Sequence, residues 1–195
     1  MEKEEIGEKI STLRDKQKMV SETWAKTGNR ETLRFIVDIA PRYFSCERSS
    51  IFVHDPSTES VWLECGTGMK ERQINVPESS SLVGQVIKSG KTQMRVNMIV
   101  QKGAHEMTDM MSGFSTVNVL AAPIFSSKER VIGAIEILNK QKNNQFLEYN
   151  DDDREELTKF ARFISVSLEP LYQRQELIKI SHEIQIRIAK LENLL

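Results

Sequence analysis

Asp109-Met-Met-Ser-Gly-Phe-Ser-Thr-Val-Asn-Val-Leu-Ala-Ala-Pro-Ile124, followed by Val131-Ile-Gly-Ala-Ile-Glu-Ile-Leu-Asn-Lys140, is the stretch whose reading decides the fold. A small-residue turn at Gly113 feeds an apolar run over 119–125. A second apolar run over 130–138 follows across Ser126-Ser-Lys-Glu129, and two such runs joined by a short polar segment read as a hairpin. Ser112, Thr116 and the backbone amides beside Gly113 make a turn able to take an anion such as phosphate. Asp109 and Glu136 supply acceptors for an amino group or a ribose hydroxyl. On the residues alone, a loop capped by Ser and Thr accounts for the turn at least as well as a ligand site does.

On the N-terminal side, residues 2–26 read as a helix, with Ile6, Ile10, Leu13, Gln17, Val20 and Trp24 at alternating steps of four and three, a heptad seam. Thr27-Gly28-Asn29-Arg30 breaks it. A second helix is predicted over 31–43, carrying Leu33, Ile36, Val37, Ile39 and Ala40 on its apolar face. Short strands are predicted over 49–54, 61–65, 73–76 and 94–96, and a short helix over 81–89 closed by Gly90. Residues 97–113 mix methionines and polar residues, which predicts short helices and loop. On the C-terminal side, Asn150 or Asp152 caps a helix with Leu157, Phe160, Ala161, Ile164 and Leu168 on one face. Pro170 is expected to kink or interrupt it. From Leu177 a heptad pattern resumes through Ile180, Ile184, Arg187, Leu191 and Leu194, flanked by Ile188 and Leu195. The fold class expected is α+β: a central antiparallel sheet with helices packed on one side of it, flanked by N- and C-terminal coiled-coil-like helices.

Hydrophobic content of 39% and charged content of 28% over 195 residues suit one globular domain with extra helix. The 27 basic and 28 acidic residues balance, so no positive surface is expected for nucleic acid. No apolar run approaches the roughly 20 residues of a membrane span. The charged N-terminus lacks a signal-peptide core, so a cytoplasmic location is expected. Cys46 and Cys65 stand singly, fit no metal spacing and read as separate thiols. There is no nucleophile elbow, phosphate loop or paired-His metal motif, so no catalytic residue and no cofactor is expected. The chain ends on Glu-Asn-Leu-Leu inside a heptad pattern, which reads as a fragment of a longer protein.

Two motifs add a family resemblance. Asn139-Lys140, a spacer, Phe146, three residues and Asn150-Asp151 resemble the Asn-Lys…Phe-x-x-x-Asp-Glu signature of GAF domains. Ser112-Gly-Phe-Ser-Thr-Val-Asn-Val-Leu120 is similar to the Thr-Gly-Phe-x-Thr-Arg-Asn-x-Leu pattern of the cyclic-nucleotide-binding GAF domains of phosphodiesterases and cyclases, with Val117 for Arg. The resemblance covers about 30–168. It implies an N-terminal dimerisation helix over 1–27, a sensor domain over 28–168 and a C-terminal signalling helix over 169–195. It implies ligand contacts from Ser50, Leu82, Val83, His105, Asp109, Ser112, Thr116 and Glu136. Leu82 and Val83 would offer backbone amides to a cyclic phosphate at a helix N-terminus. Asn139, Lys140, Phe146 and Asp151 would form a clamp on the pocket's backbone, with Lys140 paired to Asp151.

The function implied is a regulatory sensor of a cyclic nucleotide, cAMP before cGMP, signalling through a parallel homodimer to an output domain. The base-stacking aromatic of the family falls near Glu64-Cys65, where neither residue is aromatic; Trp62 lies two residues earlier and faces the same side of its strand as Glu64. A GAF-fold dimerisation module without a nucleotide, or a sensor of another small molecule, is the alternative. Bilin attachment, haem ligation and methionine sulfoxide reduction are disfavoured, since residues 97–113 hold no cysteine and no second ligand is spaced for His54 or His105.

Overall fold

Residues 8–16, 30–55, 60–69, 74–79, 81–98 and 113–192 are described by the computed structural model. Two compact units result, one of Arg30–Glu169 and one joining Met1–Asn29 to Pro170–Leu195. In the first, the order is α2 (Arg30–Tyr43), β1 (Cys46–Asp55), β2 (Ser60–Gly66), β3 (Asn75–Pro77), α3 (Leu82–Ser89), β4 (Gln93–Arg95), β5 (Val119–Phe125), β6 (Val131–Lys142), β7 (Gln145–Phe146) and the start of α4 (Asp151–Glu192). Helix α1 covers residues 8–16. The predicted helix over 2–26 otherwise lies outside the described residues, as does nearly all of 97–112.

The sheet runs β3-β2-β1-β6-β5-β4, with β7 paired to β6, and these neighbouring strands are antiparallel throughout. Its middle strands are buried on both faces, so they are apolar at nearly every position rather than alternating. Phe52, Val61, Leu63, Val119, Ala121 and Ala134 point to one face, where they pack with Leu82, Val83, Val86 and Ile87 of α3. Their neighbours Ile51, Leu120, Ala122, Ile135 and Ile137 are equally buried and point the other way. That second face carries α2 and α4: Ser49 donates its hydroxyl to the Val37 carbonyl at 2.7 Å, and Ser165 of α4 donates to the carbonyl of Phe125. The expectation of helices on one side is thus corrected. α3 covers the opposite face because its apolar stripe of Leu82, Val83, Val86 and Ile87 is buried against the side chains that point there.

Two glycines make these approaches possible. A Cβ on Gly84 would strike the backbone of Glu78, and one on Gly133 would strike the carbonyl of Phe52. α3 begins at Ser81, whose hydroxyl accepts from the Gly84 N–H at 2.9 Å, and ends at Gly90 in the left-handed region, φ 64°. α4 contains Pro170 and continues past it to Glu192, so the expected interruption does not occur. Proline forfeits one bond, to the carbonyl four residues back. That residue, Val166, is exposed, so water can satisfy the carbonyl.

In the second unit, Ile10 of α1 and Ile188 of α4 are buried together, with Leu13, Ile184 and Leu191 packed against them. Arg14 pairs with Glu192 at 2.6 Å. Residues 10 and 14 therefore meet 188 and 192, so the two segments run in the same direction.

Candidate functional site

Four of the predicted site residues, Ser50, Leu82, Val83 and Glu136, lie on the α3 face of the sheet. Ser50 on β1 is directly opposite Glu136 on β6, and Glu136 is opposite Ala121 on β5. Ser49 points to α2, so Ser50, its neighbour along the strand, points to the α3 side. The same parity puts Glu136 with Ala134 on that side. Leu82 and Val83 open α3, buried against this face, at a helix end whose first N–H groups have no partner within the helix. Thr116 is buried just before β5. Gly113 holds φ 63° with open space about its Cα, as the turn reading requires. His105, Asp109 and Ser112 lie outside the described residues.

Asn139 organises the 113–118 segment. It sits buried at φ 60°, a left-handed conformation that asparagine tolerates. Its side-chain oxygen accepts from the N–H groups of Val117 at 2.7 Å and Asn118 at 3.3 Å. Its amide group donates to Ser115 O at 2.8 Å and Glu47 Oε2 at 2.7 Å. Asn118 reciprocates: its side chain accepts from the Lys140 N–H at 2.9 Å and donates to the Leu147 carbonyl at 3.0 Å. Arg48 covers the Phe114 ring at 4.1 Å. The loop thus hangs from the ends of β1 and β6.

Lys140 continues the chain of contacts to α4, but not through the expected residue. Its ammonium meets Asp153 Oδ1 at 2.7 Å, with both side chains largely buried, whereas Asp151 is 87% exposed and pairs with Arg154 at 3.3 Å. The cause is the helix cap. Asn150, one of the two expected caps, accepts from the Asp153 N–H at 2.9 Å, and Asp153 accepts from the Asn150 N–H at 2.8 Å. That reciprocal box turns the third residue of the helix back toward Lys140 and leaves Asp151 facing water. Phe146 is also corrected: it is 51% exposed on the marginal two-residue strand β7, while Tyr149 is the buried aromatic here. The Tyr149 ring lies 6.0 Å from the Lys140 ammonium.

Trp62 belongs to the other face. Val61 and Leu63 point to α3, so Trp62 and Glu64 point to α2, where Glu64 meets Arg30 at 2.7 Å. No aromatic of β2 therefore stacks over the Ser50–Glu136 pair. A cavity of about 650 Å³ lies between Arg34 and Asp38 of α2 and the Glu64–Met69 run; it shares no residue with the predicted set. Burial pushes both Cys46 and Cys65 up to about 12, which suppresses thiolate chemistry. Among the described residues, no group of three or more His, Cys, Asp or Glu is arranged to hold a metal, and no helix is long and apolar enough to cross a membrane.

Sequence reasoning missed Glu47, Asn118, Tyr149 and Asp153. The Asn150-x-x-Asp153 spacing carried the signal for the last; the others are apparent only once strand ends are brought together.

The GAF domain family model matches residues 29–168. The chain belongs to the GAF domain family. Its fold resembles the GAF domain of an Acinetobacter phosphoenolpyruvate-protein phosphotransferase, 15% identical, with a TM-score of 0.59 over 81% of this chain and 93% of that one. It also resembles a free methionine-R-sulfoxide reductase from Neisseria meningitidis in complex with its substrate, 15% identical, TM-score 0.58, covering 86% of this chain and 93% of that one. Among curated proteins, it is 22% identical over 100 residues to a dual 3',5'-cyclic-AMP and -GMP phosphodiesterase 11A of Takifugu rubripes, a match spanning 51% of this chain and 11% of that protein. GAF domains are small-ligand sensor and regulatory folds, and some proteins that share the fold are enzymes.

Proposed function

We propose that this GAF domain is a non-enzymatic regulatory sensor of a cyclic nucleotide, with cAMP favoured over cGMP and no resident cofactor. The observation that carries this reading is the hydrogen-bonded path from Ser115–Asn118 through Asn139, Asn118 and Lys140 to Asp153 at the start of α4. A ligand gripped by the 112–116 turn pulls on this path. Ser50 and Glu136 face the base or sugar, the amides of Leu82 and Val83 hold the cyclic phosphate, and His105, Asp109, Ser112 and Thr116 close the lid side. Signalling follows by population shift: the ligand prefers one arrangement of the turn, and the network passes that preference to α4. The output is carried through a parallel homodimer to a further domain. The phosphodiesterase relative supports the nucleotide class.

A dimerisation module with no nucleotide, or a sensor of a different molecule, is the second reading. The α2-facing orientation of Trp62 and Glu64, which leaves no aromatic of β2 over the site, favours it. Melting the protein with cAMP or cGMP at a hundredfold excess over the dissociation constant separates the two, since about 2.7 kcal/mol of stabilisation is expected from a bound ligand. A rise with one nucleotide that vanishes in Thr116→Ala and Asp109→Ala supports the sensor. No rise with either nucleotide leaves the second reading.

A further inference from the structure

The cavity of about 650 Å³ on the α2 side of the sheet lies wholly within the sensor unit, on the opposite face from Ser50 and Glu136. A β-bulge builds its floor. Ile51 of β1 is opposite Cys65 and Phe52 is opposite Leu63, so Glu64 is the extra residue of β2. Glu64 points to α2, and Cys65, opposite the α2-facing Ile51, points there too. The bulge thus aims two consecutive side chains at one space, which regular alternation forbids. The Gly66–Met69 turn forms one wall. Met69 donates its N–H to the Gly66 carbonyl at 3.0 Å, and Gly68 holds φ 70° with nothing within 4 Å of where a Cβ would stand. The backbone there is open to a ligand.

The other wall is the part of α2 that carries Arg34, Val37 and Asp38. Arg34 and Asp38 are four residues apart, so they share one face of the helix, with Cβ atoms about 5–6 Å apart. Among the described residues, neither side chain has a hydrogen-bond or salt-bridge partner. Their order bears on this: base before acid is the less favourable arrangement along a helix. Beyond burial, the main cause that raises the Cys65 thiol, Glu64 and Asp38 raise it further and Arg34 lowers it, so all three charges act on the cavity floor. Glu64 is itself answered by Arg30 at 2.7 Å. One cation and one anion therefore remain to meet a ligand.

We propose that this cavity is a second small-molecule site, for a zwitterion of the free amino-acid class. Its carboxylate meets Arg34, its ammonium meets Asp38, and its side chain lies toward Val37, Cys65 and Met69. A guanidinium takes a carboxylate through two parallel bonds, and an Asp carboxylate accepts from an ammonium. Arg30 and Arg34 balance Asp38 and Glu64, so a ligand charged with one sign only would leave one wall charge desolvated and unmatched. The volume falls in the range of about 300–1,000 Å³ usual for small-molecule sites. The Met69 thioether adapts to side chains of different shape.

The test uses the full chain without nucleotide, so its failure leaves the nucleotide reading untouched. Each common L-amino acid is added at about 10 mM, roughly tenfold over a millimolar dissociation constant, and the chain is melted. At least one should raise the melting temperature by about 3–6 °C. The N-acetyl derivative of that amino acid lacks the ammonium, and its amide lacks the carboxylate. Calorimetric titration should show each bound at least about tenfold more weakly than the parent. Arg34→Gln and Asp38→Asn should each weaken the parent by at least about tenfold as well. Both side chains are exposed, so far-ultraviolet circular dichroism should stay unchanged. Lys128→Gln, exposed between β5 and β6, should leave binding as it was. The two derivatives probe the same contacts on the unaltered chain, so misfolding of either variant leaves the outcome decisive. No rise with any amino acid overturns the proposal. So does binding that survives both substitutions, or derivatives that bind as well as the parent.

Discussion

Asn139 shows how much one side chain can hold. Its amide group fixes four partners on two segments while its backbone occupies the left-handed region. Asn139→Ala removes all four bonds, leaves buried amides without partners and keeps an unfavourable φ; urea titration should show a loss of about 2–4 kcal/mol. Asn139→Asp keeps the acceptor but sets a carboxylate against Glu47, so it too should be destabilised, with the deficit relieved at low pH where one of the two acids is neutral. The buried thiols set a second residue-scale expectation. Burial is the main cause that raises Cys46 and Cys65 from 9.0 to about 12. Below pH 9 both are thiols whether folded or not; above it the unfolded chain ionises first, so their contribution fades as pH rises from 9 to 12. At about pH 10 the loss is about 1 kcal/mol for each. Denaturation midpoints on either side of pH 9, compared with Cys→Ala variants, check this. Ellman's reagent should react with neither thiol in the folded protein at neutral pH. Roles at this scale were unevenly legible. Asn139 and Lys140 stand in a recognisable motif. Asp153 was hidden because an acidic run reads alike at each position until the cap chooses one of its members.

At the level of elements, the start of α4 is the decisive junction. A reciprocal Asn150–Asp153 cap and the Lys140 pair share one carboxylate. Asp153→Asn should therefore cost about 1–3 kcal/mol, since it weakens a cap and a largely buried ion pair together. Asp151→Asn removes only an exposed contact and should change stability by less than about 0.5 kcal/mol. Parallel urea denaturation of the two variants is sufficient, and equal losses would contradict the arrangement. The elements themselves were mostly readable. The hairpin of β5 and β6 follows from two apolar runs about a polar turn, and α3 from Ser81 and Gly90 as its two ends. β1 and β6 run longer than their apolar cores because pairing carries the strand beyond the residues that announce it. β7 is two residues long and has no sequence pattern to reveal it. Pro170 does not end α4, because the single carbonyl it leaves without a helical partner, on Val166, lies at an exposed position.

Across the whole molecule, the heptads at both ends were visible, but their partners were not. Periodicity says that a stripe must be covered; it does not say whether the cover comes from the same chain. Here α1 and the end of α4 meet in one chain over Ile10 and Ile188. Ile188→Asp should speed amide exchange in residues 8–16 while leaving residues 119–138 protected; a matching loss of protection in the sheet would show the two units to be one cooperative block. The shared face of Ser50 and Glu136 was likewise readable only after folding, since the two are far apart in sequence and come opposite each other through the pairing of β1 with β6. The Arg30–Glu64 pair has a practical corollary for trimming the chain. Arg30 opens α2, and its guanidinium stands 2.7 Å from a carboxylate that is all but sealed in the sheet. A fragment beginning at Glu31 would keep every strand of the sensor unit and yet lose that ion pair, whereas one beginning a residue earlier would keep it. A left-hand border drawn at or before Arg30 thus keeps a contact that one drawn a single residue later gives up.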